Sequence, residues 1–485
     1  LSPALLVQQL LALHGHARLS STWLRQTHRN VAERHRTLHA AIDWSVHLLP
    51  PEMQAAFARL GVFVGGCTED AARVVAGAGT TALTGLARAN LIQLGDGRVH
   101  LLETLRAFAL EQLAETGDLP GDAASHARYY AVFAQEVFAG LRGDDQATWM
   151  ARAVADHDNC LAAARWALAQ GDGDTAVAIT GGLWWFWNRR GYFALGRELL
   201  TAALALPSTD ALQRANALNG AASFCLAQED YAANVVYHEQ GLALRRQIGD
   251  PVGIATVLHN LGLTAYVLGD YEQAMTRLHE SIDINAGGDH TSSWAHMGLI
   301  AQETHDLPAA RRWLELAHDQ AMRTADSWMQ AFVSNYLADV LRELGELDAA
   351  AALAQESLRL FTAMDDSYYL PDAQVTLAQI ALGRGDTAAA AELAALAAAQ
   401  YAARDDQIFL ATVMLVQAEI AGQEGRGEAA VALFEQSWAR RGLVSRAMSP
   451  QEQAQYERVA AELGLIFGVY ERLPAPGAVQ QRNML

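Results

Sequence analysis

The chain has 485 residues, of which 51% are apolar and 18% charged. It carries 35 basic and 54 acidic side chains, a formal net charge of −19, and every basic residue is arginine. Without lysine there is no P-loop cation and no Schiff base, and so acidic a surface argues against unaided nucleic-acid binding.

Cys67, Cys160 and Cys225 lie far apart, at no metal or redox spacing, which fits a reduced cytosol. No run reaches the roughly 20 apolar residues of a membrane span, and no signal pattern opens the chain. The first residue is not methionine, so the chain is expected to be a fragment of a longer protein. Residues 1–30 are read as a helical remnant of a preceding domain, with His14 and His16 as surface residues near a helix end.

From residue 31 the elements follow in order. Leu38–Leu48 is a helical stripe, and Pro50-Pro51-Glu52 opens a helix over Met53–Leu60, with proline where the first turn tolerates it. Gly61–Phe63 is short and apolar. Thr68-Glu69-Asp70 reads as a cap for Ala71–Ala76, and Leu83–Asn90 as a third helix. Leu91–Leu94 and Arg98–Leu101 flank Gly95-Asp96-Gly97 as a β-hairpin. Helices followed by a hairpin predict a winged helix over 31–118. Leu102–Glu115 and residues 121–172 continue as helices, and 119–205 forms a helical arm with a first repeat-like pair.

Turn triplets then recur, with third residues at 192, 231, 271, 307, 347, 387 and 427, in steps of 39, 40, 36, 40, 40 and 40. Nine residues before the third turn residue stands Ala222, Gly262, Gly298, Ala338, Ala378 or Ala418, with Leu183 departing in the first unit. Three residues after it stands Ala274, Ala310, Ala350, Ala390 or Ala430, with Leu195 and Asn234 as departures. Small residues at fixed offsets allow close helix approach. One helix pair cannot bury its apolar stripe alone, so the units must stack. This pattern resembles tetratricopeptide repeats, clearest from Asn216 to Trp438, with a longer period than the usual one of about 34. Repeats are assigned to 206–470 and a flexible tail to 471–485. The predicted class is mostly α: a winged helix, a helical arm and a tetratricopeptide-like right-handed α-solenoid.

Further stretches carry a family signature. They are Arg36-Thr37-Leu38, Ala41-Ile42-Asp43-Trp44-Ser45, Leu48-Leu49, Leu60-Gly61-Val62-Phe63 and Gly65-Gly66-Cys67-Thr68. Leu102–Ala109, Asp158-Asn159-Cys160-Leu161 and Leu183-Trp184-Trp185-Phe186-Trp187 complete it. In this order they resemble the part C-terminal to the nucleotide domain in bacterial STAND-class signal-transduction ATPases. Those are LuxR-type or related transcriptional regulators, similar to the maltose-regulon activator family. The resemblance implies a sensor and autoinhibitory half, with ATP or ADP bound only by an upstream nucleotide-binding domain of the same polypeptide. No cofactor is expected in this chain. In relatives a Met-His-Asp motif of the winged helix contacts ADP; here the aligned residues are Leu101-Leu102-Glu103, and Leu102 cannot donate to a phosphate. That contact is not carried over, and Glu103 is expected to cap locally or pair with an arginine.

Other chemistries are weaker. Asp156-His157-Asp158, or His157 with Cys160, would suggest a metal, but zinc needs three or four ligands and no second pair has the spacing. Gly77-Ala78-Gly79 has no strand before it and no cation after it. No catalytic constellation stands out, so the chain is expected not to be an enzyme. Between residues 31 and 115 seven arginines face nine acids, and Leu83–Asn90 offers only Thr84, Arg88 and Asn90 to read a base, so direct nucleic-acid contact is not expected.

The repeat groove remains as the working surface. Residues 12, 8 and 5 before each third turn residue should face it. The binding candidates are Trp184, Trp187, Asn219, His259, Tyr266, Gln302, Asn335, Asp339 and Arg342. The aromatic members suit a planar ligand or an anchoring peptide, although the Leu183–Trp187 run also reads as core. The expected partner is a protein or small-molecule inducer, with no membrane involved. The alternative is a constitutive scaffold or adaptor using the same groove without a switch.

Overall fold

The computed structural model describes residues 31–142, 145–324, 326–443 and 448–467. The expected N-terminal remnant, with His14 and His16, and the tail at 471–485 lie outside the described residues. The chain divides into two compact units, Leu1–Asp250 and Pro251–Leu485.

In the first unit, α1 (Val31–His47) and α2 (Pro51–Leu60) precede a two-residue strand, β1 (Cys67–Thr68). α3 (Glu69–Ala76) starts where the Thr68 side chain accepts from the Ala71 N–H, and ends at left-handed Gly77. α4 (Thr80–Arg88) leads into the hairpin β2 (Gln93–Gly95) and β3 (Arg98–His100), turned by Asp96 and Gly97 at positive φ. The sheet is antiparallel in the order β1-β3-β2, pairing Cys67 with Val99 and Leu94 with Val99. Two helices, a strand, two more helices and a hairpin thus build the three-stranded sheet. The sequence did not announce β1. It is enabled by Gly66, at φ 90, where a Cβ would come within 2.5 Å of His100 Nδ1.

α5 (Glu103–Thr116) begins one residue later than expected, with Leu102 as its exposed N-cap. The helical stretch that follows is two helices, α6 (Leu119–Gly140) and α7 (Gln146–Gln170). α8 (Gly173–Arg189), α9 (Phe193–Leu204), α10 (Ala211–Ala227) and α11 (Tyr231–Ile248) complete the unit. One apolar cluster runs from Phe57 and Val99 through Tyr130 and Val137 to Trp187 and Phe224.

The second unit stacks helix pairs: α12 (Pro251–Val267) with α13 (Tyr271–Ile284), α14 (Thr291–Glu303) with α15 (Leu307–Thr324), and α16 (Ser327–Glu343) with α17 (Leu347–Ala363). α18 (Leu370–Gly383) with α19 (Thr387–Ala403) and α20 (Gln407–Gln423) with α21 (Gly427–Arg441) follow. The last described helix is α22 (Pro450–Glu462), begun by a Ser449–Glu452 capping box with proline in its first turn.

Each expected turn lies between paired helices. A left-handed residue stands two positions before the second helix at Glu229, Gly269, His305, Gly345, Gly385 and Gly425. In the first pair it is Gly191, and the helix starts at Phe193 rather than Tyr192. That pair is therefore one residue out of the expected register. Gly196, not Leu195, takes its small position, and a Cβ there would meet Phe224 at 2.4 Å. The other departure, Asn234, is fully buried and donates from Nδ2 to the Ala222 carbonyl at 2.8 Å. Ala274, Ala310, Ala350, Ala390 and Ala430 are wholly buried, as close helix pairing requires.

Candidate functional site

In the first unit the candidate groove residues sit inside. The shifted register brings Gly181, Trp185 and Asn188 to the offsets assigned to Thr180, Trp184 and Trp187. Trp187 is fully buried, and its indole N–H donates to His157 Nε2 at 3.0 Å. His157 stacks on Tyr192 at 5.3 Å, and burial holds its pKa below the usual range, so it keeps the lone pair that accepts. Trp184 is 5% exposed, against Phe138 and edge-on to Trp185. Asn219 is buried as well. Trp184 and Trp187 thus fill core, while Trp185 and Asn188 keep partial exposure. Cys160 is completely buried, with its thiol pushed up by that burial. No group of three or more His, Cys, Asp or Glu stands ready for a metal among the described residues.

The motif residues of this unit converge on one buried junction. Asn159 of α7 accepts the Val64 N–H at 2.7 Å and donates to the Gly66 carbonyl at 2.7 Å. Asp156, one turn earlier, takes a forked pair from Arg98 of β3 at 2.9 and 3.1 Å, and the Tyr130 hydroxyl at 3.0 Å. The loop before β1, the hairpin and the arm are thereby tied together. Glu103 pairs with Arg106 at 2.8 Å, and Arg106 Nη1 donates to the Gly61 carbonyl at 3.4 Å.

In the second unit, three candidates meet. Gln302, at the end of α14, donates to Asp339 of α16 at 2.6 Å. Arg342 returns to Asp339 at 2.8 Å and reaches Glu343 at 3.2 Å. Burial opposes the Arg342 charge, but Asp339 and Glu343 outweigh it and hold its pKa above the ordinary value. Burial, then the Asp339 charge, raises the pKa of Glu343. Asn335 is one turn earlier on α16, 4% exposed, its Oδ1 without a hydrogen-bond partner.

His259 and Tyr266 belong to an aromatic wall instead. His259 Nδ1 lies 3.0 Å from Ser293 Oγ, and its ring stands edge-on to His296 at 5.1 Å. Burial, then His296, lowers the His259 pKa to about 3, so it is neutral at pH 7. Tyr266 is also edge-on to His296, and the wall continues through Phe332 to Tyr336 and Tyr369. Beyond it the Tyr401 hydroxyl donates to Asp372 at 2.5 Å, and burial pushes that carboxyl up to about 7.

The offsets did not single out Glu343 or the contribution of α22. Gln451 Nε2 donates to Glu343 Oε1 at 2.7 Å, and Arg458 forks onto Glu419 of α20 at 2.9 and 3.1 Å. The capping box Ser449–Glu452 was the available signal for a helix here.

No protein-family model matches the chain. It is 29% identical over 353 residues to proteins described as HTH-type transcriptional regulators in Mycobacterium bovis and Mycobacterium tuberculosis. The match covers 68% of this chain and 40% of each relative's length. Among solved structures it is similar to the STAND protein with a tetratricopeptide repeat sensor from Pyrococcus horikoshii, at TM-score 0.51 and 14% identity. That similarity covers 84% of this chain and 66% of the other. The chain resembles the tetratricopeptide-type helical region of a transcription regulator. Its repeats share their fold with that STAND sensor, and no helix among the described residues is long and apolar enough to cross a membrane.

Proposed function

We propose that this chain is the sensor and autoinhibitory half of a cytoplasmic STAND-class regulator, without catalytic activity of its own. The second unit binds a protein or small-molecule inducer along the first helices of its repeats. The winged helix relays that event to a nucleotide-binding domain of the same polypeptide, where ATP or ADP is held. The carrying observation is the convergence of Gln302, Asp339, Arg342 and Glu343, from two successive first helices, into one polar row. Buried polar groups in a row of this kind give specificity to whatever replaces their present partners. Sequence similarity to regulators supports the reading. For the signal to act, it must bind the released state more tightly than the restrained one.

The test is the melting midpoint of this chain in lysate of its source organism, before and after dialysis, beside a Gln302→Ala/Asp339→Ala variant. The natural chain should gain about 2–4 °C for each kcal/mol of linkage, and the variant should not. Loss of the gain on dialysis identifies a small molecule; its retention identifies a macromolecule. A gain equal in both chains removes the polar row from the function.

A further inference from the structure

α22 is not simply one more first helix in the stack. It lies against both α14 and α20, whose positions in the chain are separated by two complete pairs. At its start the Pro450 carbonyl accepts from His305 Nε2 at 3.3 Å, just beyond α14. Gln451 reaches Glu343 at the end of α16. From its middle, Arg458 clamps Glu419 near the end of α20. The helix therefore spans the C-terminal ends of the first helices, from α20 across to α14 and α16.

Its two sides are held by different forces. Toward α20 and α21 the seat is apolar: Tyr456, Val459 and Ala460 are buried with Leu415, Ala418 and Phe434. The Tyr456 hydroxyl also shares a 2.6 Å hydrogen bond with Ser437. Toward α14 and α16 the contacts include two polar ones, His305 to the Pro450 carbonyl and Gln451 to Glu343. Such bonds contribute little net, because water offers the same partners. The far side is thus the easier one to release.

We propose that α22 is a strap across the polar row, lifting first from α14 and α16 and then from Glu419 to admit a partner peptide that carries arginine. This rests on reading the row as the partner surface. The chemistry of the partner follows from what opening leaves behind. Glu343 Oε1 loses the Gln451 donor and Glu419 loses Arg458, so three carboxylates, Asp339, Glu343 and Glu419, are left beside Arg342. A guanidinium on an incoming segment restores the donor and balances the charge. The strap already presents that chemistry, with an amide at Gln451 and a guanidinium at Arg458, so the partner displaces a resident likeness of itself.

Hydrogen exchange on the unmodified chain tests the opening. Amides of 454–462 should exchange at least tenfold faster than those of 411–422 in α20. Exchange of the two helices in step overturns the strap. The occupant is tested with a synthetic peptide of residues 449–463 added to an Arg458→Glu variant of the full chain, whose strap is repelled by Glu419. The peptide should bind this variant at least tenfold more tightly than it binds the natural chain. Equal binding to both, or binding to neither, overturns the proposed occupant. Because exchange needs no inducer, the strap can fail while the lysate response stands, or stand while that response fails.

Discussion

The junction of the first unit and the polar row of the second both pair an arginine with a carboxylate across distant elements. Arg98 meets Asp156, and Arg458 meets Glu419, each through two hydrogen bonds of similar length. Their surroundings differ. Arg98 is 18% exposed and also donates to the Ala155 carbonyl, while Asn159 beside the pair fastens onto backbone atoms at 64 and 66. Arg458 is 48% exposed, and it donates to the side chains of Glu419 and Glu462. A network anchored on backbone has nowhere else to go. One made of side chains with water beside it can exchange partners. The first is held in place, and the second is free to rearrange.

The largest effect should come from Asp156→Ala, which leaves the half-buried Arg98 guanidinium and the buried Tyr130 hydroxyl without their carboxylate. The expected loss is about 3–5 kcal/mol, lowering the melting midpoint of the first unit by at least about 6 °C. A fall below about 2 °C would show that the junction is as loose as the strap.

Asp372→Asn should act through pH. Burial raises the folded pKa of Asp372 to about 7, so the stability tied to its protonated form is present at low pH and lost as pH rises toward 7. The amide variant should melt about 2–4 °C above the natural chain at pH 8. That advantage should shrink steadily on titration to pH 4. The depressed pKa values of His259 and His296 act in the opposite direction, but they are common to both chains and cancel in the difference.

Arg458→Ala should cost least, below about 1 kcal/mol, because an ion pair half open to water contributes little. Differential scanning calorimetry of the three variants orders them. A midpoint drop for Arg458→Ala as large as that for Asp156→Ala would erase the distinction between the two networks.

What the sequence disclosed followed from local rules. The spacing of the turns placed the helix pairs, because left-handed residues and small contact residues repeat at fixed steps. The hairpin was legible from Gly95-Asp96-Gly97 between alternating residues. The register of the first pair was not, since Gly191 turns the chain one residue later than its neighbours do; that slip put Trp184 and Trp187 on the wrong face. β1 is too short to show alternation. The offsets put Gln302, Asp339 and Arg342 on facing sides of their helices, where they contact one another. Their closure by Gln451 was not legible, because a partner 108 positions from Glu343 leaves no periodic trace.

The clamp on Arg458 also hides a cleavage site. With no lysine in the chain, trypsin cuts only after arginine, and Arg458 is the one arginine within α22. To be cut, its side chain must leave Glu419 and enter the protease pocket while the local backbone unwinds. The bond between Arg458 and Val459 is therefore a clock built into the chain, its nicking rate set by how often the clamp lets go.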